Sequence, residues 1–297
     1  MELSEYVKAG KIAAKVRENV KKLDLVGKNY LEICEYVEKS ITDNGGNVAF
    51  PCNICVNDIA AHNTAMINDI NLVHEDDIIK LDIGVHLNGY IADTAITISY
   101  NPSYDNLIQA TEETLLKAIS SVKENFETGQ IGNIIELEAK KRGYTPISNL
   151  SGHSIEQYKI HAGQSIPNVY SPGSSYIKKN EIYAIEPFFT TLEGSGFVKS
   201  VNTENIFSLV TLKKTKDKNL DDFIQLIWKK YRTLPFTYRY FLDHYFDKEI
   251  LSLIGSLIKK KIIRSYPVLV EENKNVVAQA EHTITLTDNG IQILTAI

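Results

Sequence analysis

The chain has 297 residues, a formal net charge of −5, 43% hydrophobic residues and 23% charged residues, which is ordinary for a globular protein. Collagen-like, low-complexity and largely disordered chains are therefore excluded. No apolar run approaches the roughly 18 residues of a membrane span, and the acidic start lacks the basic and apolar parts of a signal sequence. Three cysteines indicate a reducing compartment, so we expect a cytoplasmic protein with no membrane partner.

Two helices are predicted at the start of the chain. Apolar residues recur at three- and four-residue spacings over residues 3–21, which is typical of an amphipathic helix. A second helix is predicted from about Asn29 to Thr42, because Asn44-Gly45-Gly46 is a usual helix stop. A strand that enters a loop is predicted from Asn47 onward.

A β-hairpin is predicted over residues 76–99. Apolar residues alternate on both sides of Asn88-Gly89, the strongest short signal for a hairpin turn. Further predicted elements follow in order: a long helix at about 103–126, a shorter helix at about 131–142, and strands near 145–150, 181–190 and 276–286.

The chain also repeats itself. Residues 77–82 resemble residues 181–186, and residues 91–98 resemble residues 279–286. Each repeat follows two predicted helices, so we expect two similar α+β halves. The second hairpin is longer than the first by 84 residues, which locates an insertion between its strands.

The two copies of the repeat carry acidic residues at matching positions in both of their strands. If Asn88-Gly89 forms a two-residue turn, Gly84 lies opposite Asp93 and Asp82 lies opposite Ala95. Asp82 and Asp93 then share one face as diagonal neighbours about 7–8 Å apart. Two carboxylates in an apolar hairpin repel each other and resist desolvation, and a divalent cation removes both problems.

The repeat predicts that Glu186 and Glu281 occupy the matching positions in the second hairpin. Four carboxylates and one histidine can hold two divalent cations. His153 is the candidate histidine, because it lies in a polar, glycine-containing turn where a ligand can be aimed. A single acidic residue on a strand ordinarily faces solvent, so the prediction depends on the whole set.

Two further histidines are candidates for catalysis. His62 and His161 each follow a helix and strand unit of similar length, and imidazole can stabilise an oxyanion or protonate a departing amine. The alternative is that each is an ordinary loop histidine. His74, His86 and His244 have no such context and are predicted to be structural.

The ordered set Asp82, Asp93, His153, Glu186 and Glu281 resembles the metal-ligand signature of the methionine aminopeptidase, aminopeptidase P and creatinase group, which has the pita-bread fold. Type 2 methionine aminopeptidases are the most similar subgroup, on Ala49-Phe50-Pro51 with Ala60-Ala61-His62, on Leu150 to His153, and on the insertion before Ala278. The resemblance implies two pseudo-twofold αα-β-hairpin halves. The catalytic domain would comprise residues 1–204 and 266–297, and residues 205–265 would form an inserted helical, winged-helix-like subdomain.

The resemblance also implies roles for individual residues. Asp82 would chelate one metal, Asp93 and Glu281 would bridge two divalent ions (Mn, Fe, Co or Zn), and His153 and Glu186 would complete the second site. Glu186 would also shuttle a proton, and His62 and His161 would contact the substrate. The residues implied for the methionine pocket are Phe50, Pro51, Ile160, Tyr266 and His282. Lys199 departs from the pattern, because some relatives have a histidine there.

By the same resemblance, the chain would remove the N-terminal methionine from nascent polypeptides with a small second residue, using a hydroxide activated by both metals. An X-Pro aminopeptidase or prolidase is the alternative enzyme. A binding protein of this fold that has lost its ligands is a third possibility, which the five retained ligand types disfavour. Cys52 and Cys55 have the spacing of a zinc knuckle, but only Cys34 could join them, which is too few for a structural site.

The inserted block differs in charge from the rest of the chain. Residues 211–264 contain 13 lysines and arginines against 6 aspartates and glutamates, a net charge of +7, and the remainder carries 19 against 31, a net charge of −12. We expect no DNA partner. The basic surface could contact ribosomal RNA near the peptide exit, and a solvated basic face is the alternative.

Overall fold

The computed structural model describes residues 2–297, and over this range the chain forms six α-helices and fifteen β-strands. The helices are α1 Glu2–Lys21, α2 Tyr30–Asp43, α3 Asp105–Ser121, α4 Thr128–Lys141, α5 Lys218–Tyr231 and α6 Asp247–Lys259. The strands are β1 Asn47–Val48, β2 Asn53–Val56, β3 Ile59–Ala61, β4 Ile78–Leu87, β5 Tyr90–Ser99, β6 Thr145–Pro146, β7 Ser151–Ile155, β8 Ser165–Pro167, β9 Ile182–Ile185, β10 Phe188–Thr190, β11 Val198–Leu209, β12 Ile263–Glu271, β13 Val277–Gln279, β14 His282–Thr287 and β15 Gly290–Ile293. None of the helices in this range is long and apolar enough to cross a membrane.

The first two helices begin and end where the sequence predicts. Asn29 caps α2, since its side chain accepts a hydrogen bond from Leu31 N at 2.8 Å while the Glu32 carboxylate accepts one from Asn29 N. The chain leaves this helix through Gly45, whose φ of 82° suits glycine. The buried faces of α1 and α2 pack on the hairpin β4–β5 in one apolar core.

The hairpin β4–β5 confirms the predicted register. Gly84 pairs with Asp93 and Asp82 pairs with Ala95. Asn88 and Gly89 both have positive φ values, 53° and 86°, which is the backbone that a two-residue turn of type I′ requires. The two aspartates are therefore on one face of the hairpin, as the alternation predicts.

The second half repeats the order of a helix pair followed by a strand pair, with a different register. Ile185 pairs with His282 and Phe188 pairs with Gln279, so Glu186 and Glu281 lie directly opposite each other. In the first hairpin the two aspartates are offset by two residues. The repeat therefore correctly predicts the helices and strands of the second half and that its two glutamates are close together. The pairing of these glutamates differs from that of the aspartates because the strands of the second hairpin are interrupted at both glutamates.

Threonine hydroxyls join the two halves. Thr283 Oγ1 donates to the Asp93 carbonyl oxygen and accepts from Asp93 N, both at 2.7 Å. Thr97 Oγ1 does the same with Gln279, donating to its carbonyl oxygen at 2.6 Å and accepting from its N–H at 2.8 Å. These reciprocal bonds fix the backbone of each acidic strand against the strand from the other half.

Residues 205–265 contain a core of their own. Its fully or nearly buried members include Phe223, Ile227, Phe236, Phe241, Ile250 and Leu257. The strands β11 and β12 pair from Val198 with Glu271 to Leu209 with Ile263, so the proposed borders at 205 and 265 fall inside strands rather than in loops. The division into two domains therefore remains a proposal, in which a strand pair runs from one part into the other.

A buried ion pair connects this inserted part to helix α2. Arg239 donates to both Glu38 carboxylate oxygens, at 2.5 and 2.6 Å, and the hydroxyl of Tyr240 donates to the same carboxylate at 2.7 Å. Glu38 also accepts from Cys52 N at 3.0 Å. The carboxylate thus holds together helix α2, the segment before β2 and the inserted part.

Arg239→Met is expected to lower the free energy of unfolding by about 3–5 kcal/mol, since it leaves the Glu38 carboxylate buried without its cation. Urea unfolding measures the change. Lys159→Met is the control, because Lys159 makes its ion pair with Glu156 at the exposed surface, where such pairs contribute little. Equal, small changes in both variants would contradict the importance of the buried pair.

Candidate metal centre and substrate cavity

Five side chains converge where the two halves meet. Asp82 lies on β4, Asp93 on β5 and His153 on β7. Glu186 directly follows β9, and Glu281 directly precedes β14. All five line one cavity of about 440 Å³. The structure therefore brings together the complete ligand set named from the sequence.

Distances within the group suit a shared cation. His153 Nε2 lies 3.6 Å from Asp93 Oδ2 and 3.7 Å from Glu186 Oε1. One ligand atom each from Asp93, His153 and Glu281 lies within 4.8 Å of the others. A divalent ion has ligand distances near 2.0–2.2 Å, so atoms spaced in this way can surround one.

Unpaired oxygens show that this donor set fits a metal. Asp82 Oδ1, Asp93 Oδ1 and Glu281 Oε2 are buried and have no hydrogen-bond partner within residues 2–297. A buried carboxylate oxygen without a donor is costly, and a cation supplies the missing partner. Carboxylates and one imidazole are also the donors that Mn, Fe, Co and Zn accept.

Burial raises the pKa of each of the four carboxyl groups. The pKa of Asp82 rises from 3.8 to about 7, chiefly because the group is withdrawn from water. Burial also holds the pKa of Asp93, Glu186 and Glu281 well above the usual range, and the neighbouring carboxylates add to the shift. The group therefore cannot hold all its negative charge without a compensating cation.

His153 is oriented as a neutral ligand. Its Nδ1 lies 3.4 Å from the Ser154 carbonyl oxygen, which can only accept, so the ring proton belongs on Nδ1 and the lone pair of Nε2 faces the carboxylates. Burial lowers the pKa of His153 to about 4, so the ring stays uncharged at neutral pH.

Removing metal should make the stability of the protein depend on pH. The folded-state pKa of Asp82, about 7, exceeds the unfolded value of 3.8, so the folded chain binds more protons between these values and loses stability as the pH rises through about 7. The unfolding temperature of EDTA-treated protein is expected to fall by several degrees between pH 5 and 7.5. Manganese-loaded protein should change less, and identical slopes for the two forms would refute this account.

The cavity has an apolar wall beside the carboxylates. It is lined there by Phe50, Ile160, Phe188, Ile206, Tyr266 and Leu269. The Phe50 ring lies against Gly84, where any Cβ would collide with it, so the glycine opposite Asp93 makes room for this ring. Tyr266 and Ile206 belong to the paired strands β11 and β12, so the inserted part contributes to the wall.

Two further histidines, His62 and His161, line the same cavity. The ring centroid of His161 lies 4.4 Å from that of His153, and the His62 ring packs edge-on against Tyr266 at 5.6 Å. Water reaches His161 through the cavity, but the surrounding protein still lowers its pKa, and His153 and His62 lower it further. Desolvation also lowers the pKa of His62, so both rings are neutral at neutral pH.

Three residues lie elsewhere than the resemblance implies. His282 faces away from the cavity, because successive strand residues point to opposite faces and Glu281 faces inward; its Nδ1 lies 2.8 Å from Thr295 Oγ1 and 3.2 Å from Arg17 Nη1. Pro51 is buried and is not among the residues that line the cavity, and its carbonyl oxygen accepts from Asn53. The Lys199 side chain is at the surface and donates to the Glu272 carbonyl oxygen at 3.3 Å.

The cavity also contains residues that the sequence did not indicate. Asn53, Gln164, Phe188, Ile206, Pro235 and Leu269 line it. Asn53, for example, becomes part of the wall only through the pairing of β2 with β4, which no short motif marks. For Ile206, the alternation of side chains along β11 indicates the face that lines the cavity once the strand itself is identified.

Comparison with known proteins supports the family. The model of metallopeptidase family M24 matches residues 4–210. The chain is 43% identical to a methionine aminopeptidase of Methanocaldococcus jannaschii, over 99% of this chain and 100% of that protein. It is 40% identical to one of Pyrococcus horikoshii, again over 99% and 100%. The chain belongs to metallopeptidase family M24.

Two solved structures share the fold. A methionine aminopeptidase of Thermotoga maritima superposes with a TM-score of 0.72 at 21% identity, over 100% of this chain and 97% of that one. A prolidase of Pyrococcus horikoshii matches with a TM-score of 0.63 at 17% identity, over 99% of this chain and 61% of that one. The predicted pita-bread fold is confirmed, and at this identity the prolidase shares the fold alone.

Membership of M24 makes the chain a metal-dependent hydrolase. Family membership implies divalent metal ions, and the unpaired oxygens of Asp82, Asp93 and Glu281 provide a place for them. The metal dependence of the family therefore agrees with the unpaired carboxylate oxygens in the cavity.

Proposed function

We propose that the chain is a methionine aminopeptidase that removes the N-terminal methionine from nascent proteins and binds two divalent cations. The observation that carries the proposal is the convergence of four carboxylates and His153 at the base of a cavity with an apolar wall. High identity to methionine aminopeptidases over the full chain supports it. The preference for a small second residue is carried over from the resemblance to type 2 enzymes.

The apolar wall suits a methionine side chain. Phe50 and Ile160 are nearly fully buried, and both present apolar surface to the cavity beside the carboxylates. A flexible thioether packs well against such surfaces and against aromatic edges. The bound residue would have its side chain at this wall and its carbonyl group at the carboxylates.

The metals would be held by Asp82, Asp93, His153, Glu186 and Glu281, and when bound they polarise the scissile carbonyl and acidify a water molecule. Glu186 is suited to take a proton from that water and return it to the departing amine. Its pKa is raised by burial, and Gln279 Nε2, 3.4 Å from Oε2, restrains the carboxylate.

His161 is proposed to donate its ring N–H to the oxygen that becomes negatively charged during the reaction. The ring is neutral at neutral pH, so one nitrogen carries the proton that such a bond requires. His62 is proposed to contact the peptide beyond the scissile bond. Its own Nδ1 is 3.3 Å from the Pro267 carbonyl oxygen, which directs Nε2 toward the cavity.

A tripeptide assay tests the function. Manganese-loaded protein is expected to cleave Met-Ala-Ser rapidly, Met-Leu-Ser slowly and Ala-Pro-Ser hardly at all, and EDTA should stop the reaction. Metal analysis should find two ions per chain. Preferential cleavage of the Xaa-Pro peptide would favour the prolidase alternative, and a metal content near zero with no activity would favour a binding protein.

Association with the ribosome in the cytoplasm is a further part of the proposal. Lys259, Lys260 and Lys261 are exposed at the end of α6, within the block of net charge +7. Sedimentation with ribosomes should be sensitive to salt and lost when these three become glutamate. Reversal of the exposed Lys11, Lys15 and Lys22 on the acidic body is the control and should have little effect.

A further inference from the structure

Asn53 carries an unpaired oxygen on the cavity wall. The residue is only 4% exposed, and its Oδ1 has no hydrogen-bond partner within residues 2–297. Its Nδ2 donates to the Pro51 carbonyl oxygen at 3.0 Å. Because a carbonyl oxygen can only accept, this bond fixes the orientation of the amide and leaves Oδ1 as the free acceptor.

The backbone around Asn53 is held from both sides. Cys52 N donates to Glu38 Oε1 at 3.0 Å, and the Cys52 carbonyl oxygen accepts from Thr64 Oγ1 at 2.8 Å. Ile54 N donates to the Asn63 carbonyl oxygen at 2.8 Å. With both neighbours restrained, the backbone holds Asn53 at the cavity wall, where a bound ligand can supply the donor that Oδ1 lacks.

The position of Asn53 indicates which donor this is. It pairs with Asp82 across β2 and β4, so both side chains are on one face of the sheet. Phe50, three residues earlier, forms part of the apolar wall. Asn53 therefore borders the same cavity as Asp82 and Phe50, where the proposed methionine side chain and the scissile carbonyl would lie. The α-amino group of a peptide is attached to the carbon between these two.

We propose that Asn53 Oδ1 accepts a hydrogen bond from the α-amino group of the substrate's first residue. The inference rests on the proposed function, because it takes the position of the bound peptide from it. An amide oxygen is a neutral acceptor, so it pairs with an amine whether or not that amine also binds a cation. An acylated N-terminus has fewer N–H donors and a bulky group at this place, so Asn53 is a specificity-determining residue for free N-termini.

The experiment compares two ligands that differ only in the amine. Calorimetry on the manganese-loaded full chain measures the affinity for methionine and for 4-(methylthio)butanoic acid, in which hydrogen replaces the amino group. In Asn53→Leu, methionine affinity is expected to fall about tenfold, while the affinity for the desamino compound stays within about twofold of wild type. Asn53→Ala is a second variant with the same expected result if the larger side chain disturbs folding.

Gln164→Met is the matched control. Gln164 lines the same cavity, and its Oε1 is also a buried acceptor without a partner among the described residues. It differs from Asn53 in its place in the chain, three residues after His161 rather than three residues after Phe50. The ratio of methionine affinity to desamino affinity should be unchanged in this variant.

Four results would overturn the assignment. Equal losses for both compounds in Asn53→Leu would mean that the side chain only shapes the cavity, and an unchanged methionine affinity would mean that it makes no contact. Loss of bound manganese would make Asn53 a metal ligand instead. A wild-type chain that neither cleaves Met-Ala-Ser nor binds methionine overturns the proposed function and this assignment together, whereas failure of Asn53 alone leaves the function standing.

Discussion

Asp93→Asn is expected to lower kcat/KM on Met-Ala-Ser by about 10³-fold or more and to raise the unfolding temperature of the metal-free protein. Asp93 is one of the five residues that would hold the cations, so the change removes a charged ligand from the site. The same change replaces a carboxyl group that is costly to ionise with a neutral amide, because burial and then the neighbouring Asp82 and Glu186 carboxylates raise the pKa of Asp93. Activity and metal-free stability should therefore move in opposite directions.

Asp77→Asn is the matched control. Asp77 is a buried aspartate just before β4, and both of its oxygens are paired, Oδ1 with Asn57 Nδ2 and Oδ2 with His74 N, each at 2.8 Å. Its replacement should lower stability and leave the kinetic constants of the folded fraction unchanged. Calorimetric unfolding in EDTA and steady-state assays in manganese measure both effects. A metal-free Asp93→Asn protein less stable than wild type would contradict this explanation.

His161→Ala is expected to lower kcat on Met-Ala-Ser by about 10²–10³-fold with the metal content unchanged. The ring is neutral and lies beside His153 without being among the proposed ligands, so its loss removes a hydrogen bond that matters most in the transition state. KM should change little for that reason. Steady-state kinetics and metal analysis of the same preparation separate the two effects.

His161→Gln should recover part of the lost rate, since an amide N–H can replace the ring donor. His74→Ala is the control for removing an imidazole, because His74 is at the surface away from the cavity. Wild-type turnover in His161→Ala would exclude the proposed role, and a loss of bound metal equal to the loss of rate would make His161 a structural support of the metal site.

The first hairpin could be predicted almost completely, because local chemistry determines it. Asn88-Gly89 sets the turn, the turn sets the register, and the register puts Asp82 and Asp93 on one face. The repeat extends this to Glu186 and Glu281, though their exact pairing depends on breaks in the strands that no short motif marks. For His153, only the polar turn and the family resemblance indicate a metal ligand.

Residues that depend on long-range pairing could not be predicted. Asn53 reaches the cavity through the pairing of β2 with β4, and Ile206 reaches it through the long strand pair that carries the insertion. His282 shows the opposite error, since its place in a motif suggested a pocket residue whereas strand alternation turns it toward Arg17. Whether a residue reaches the cavity is thus predicted better by the strand face on which it lies than by its closeness in sequence to a metal-ligand residue.

The strands that leave the catalytic body for the inserted part also supply Ile206 and Tyr266 to the cavity wall. A molecule that fills the cavity consequently touches both parts at once. Its binding free energy adds to the cohesion between them, because ligands that bind only the folded state stabilise it by mass action. A compound that fills the cavity would therefore also stabilise the contact between the two parts, and removal of residues 205–265 would take Ile206 out of the cavity wall.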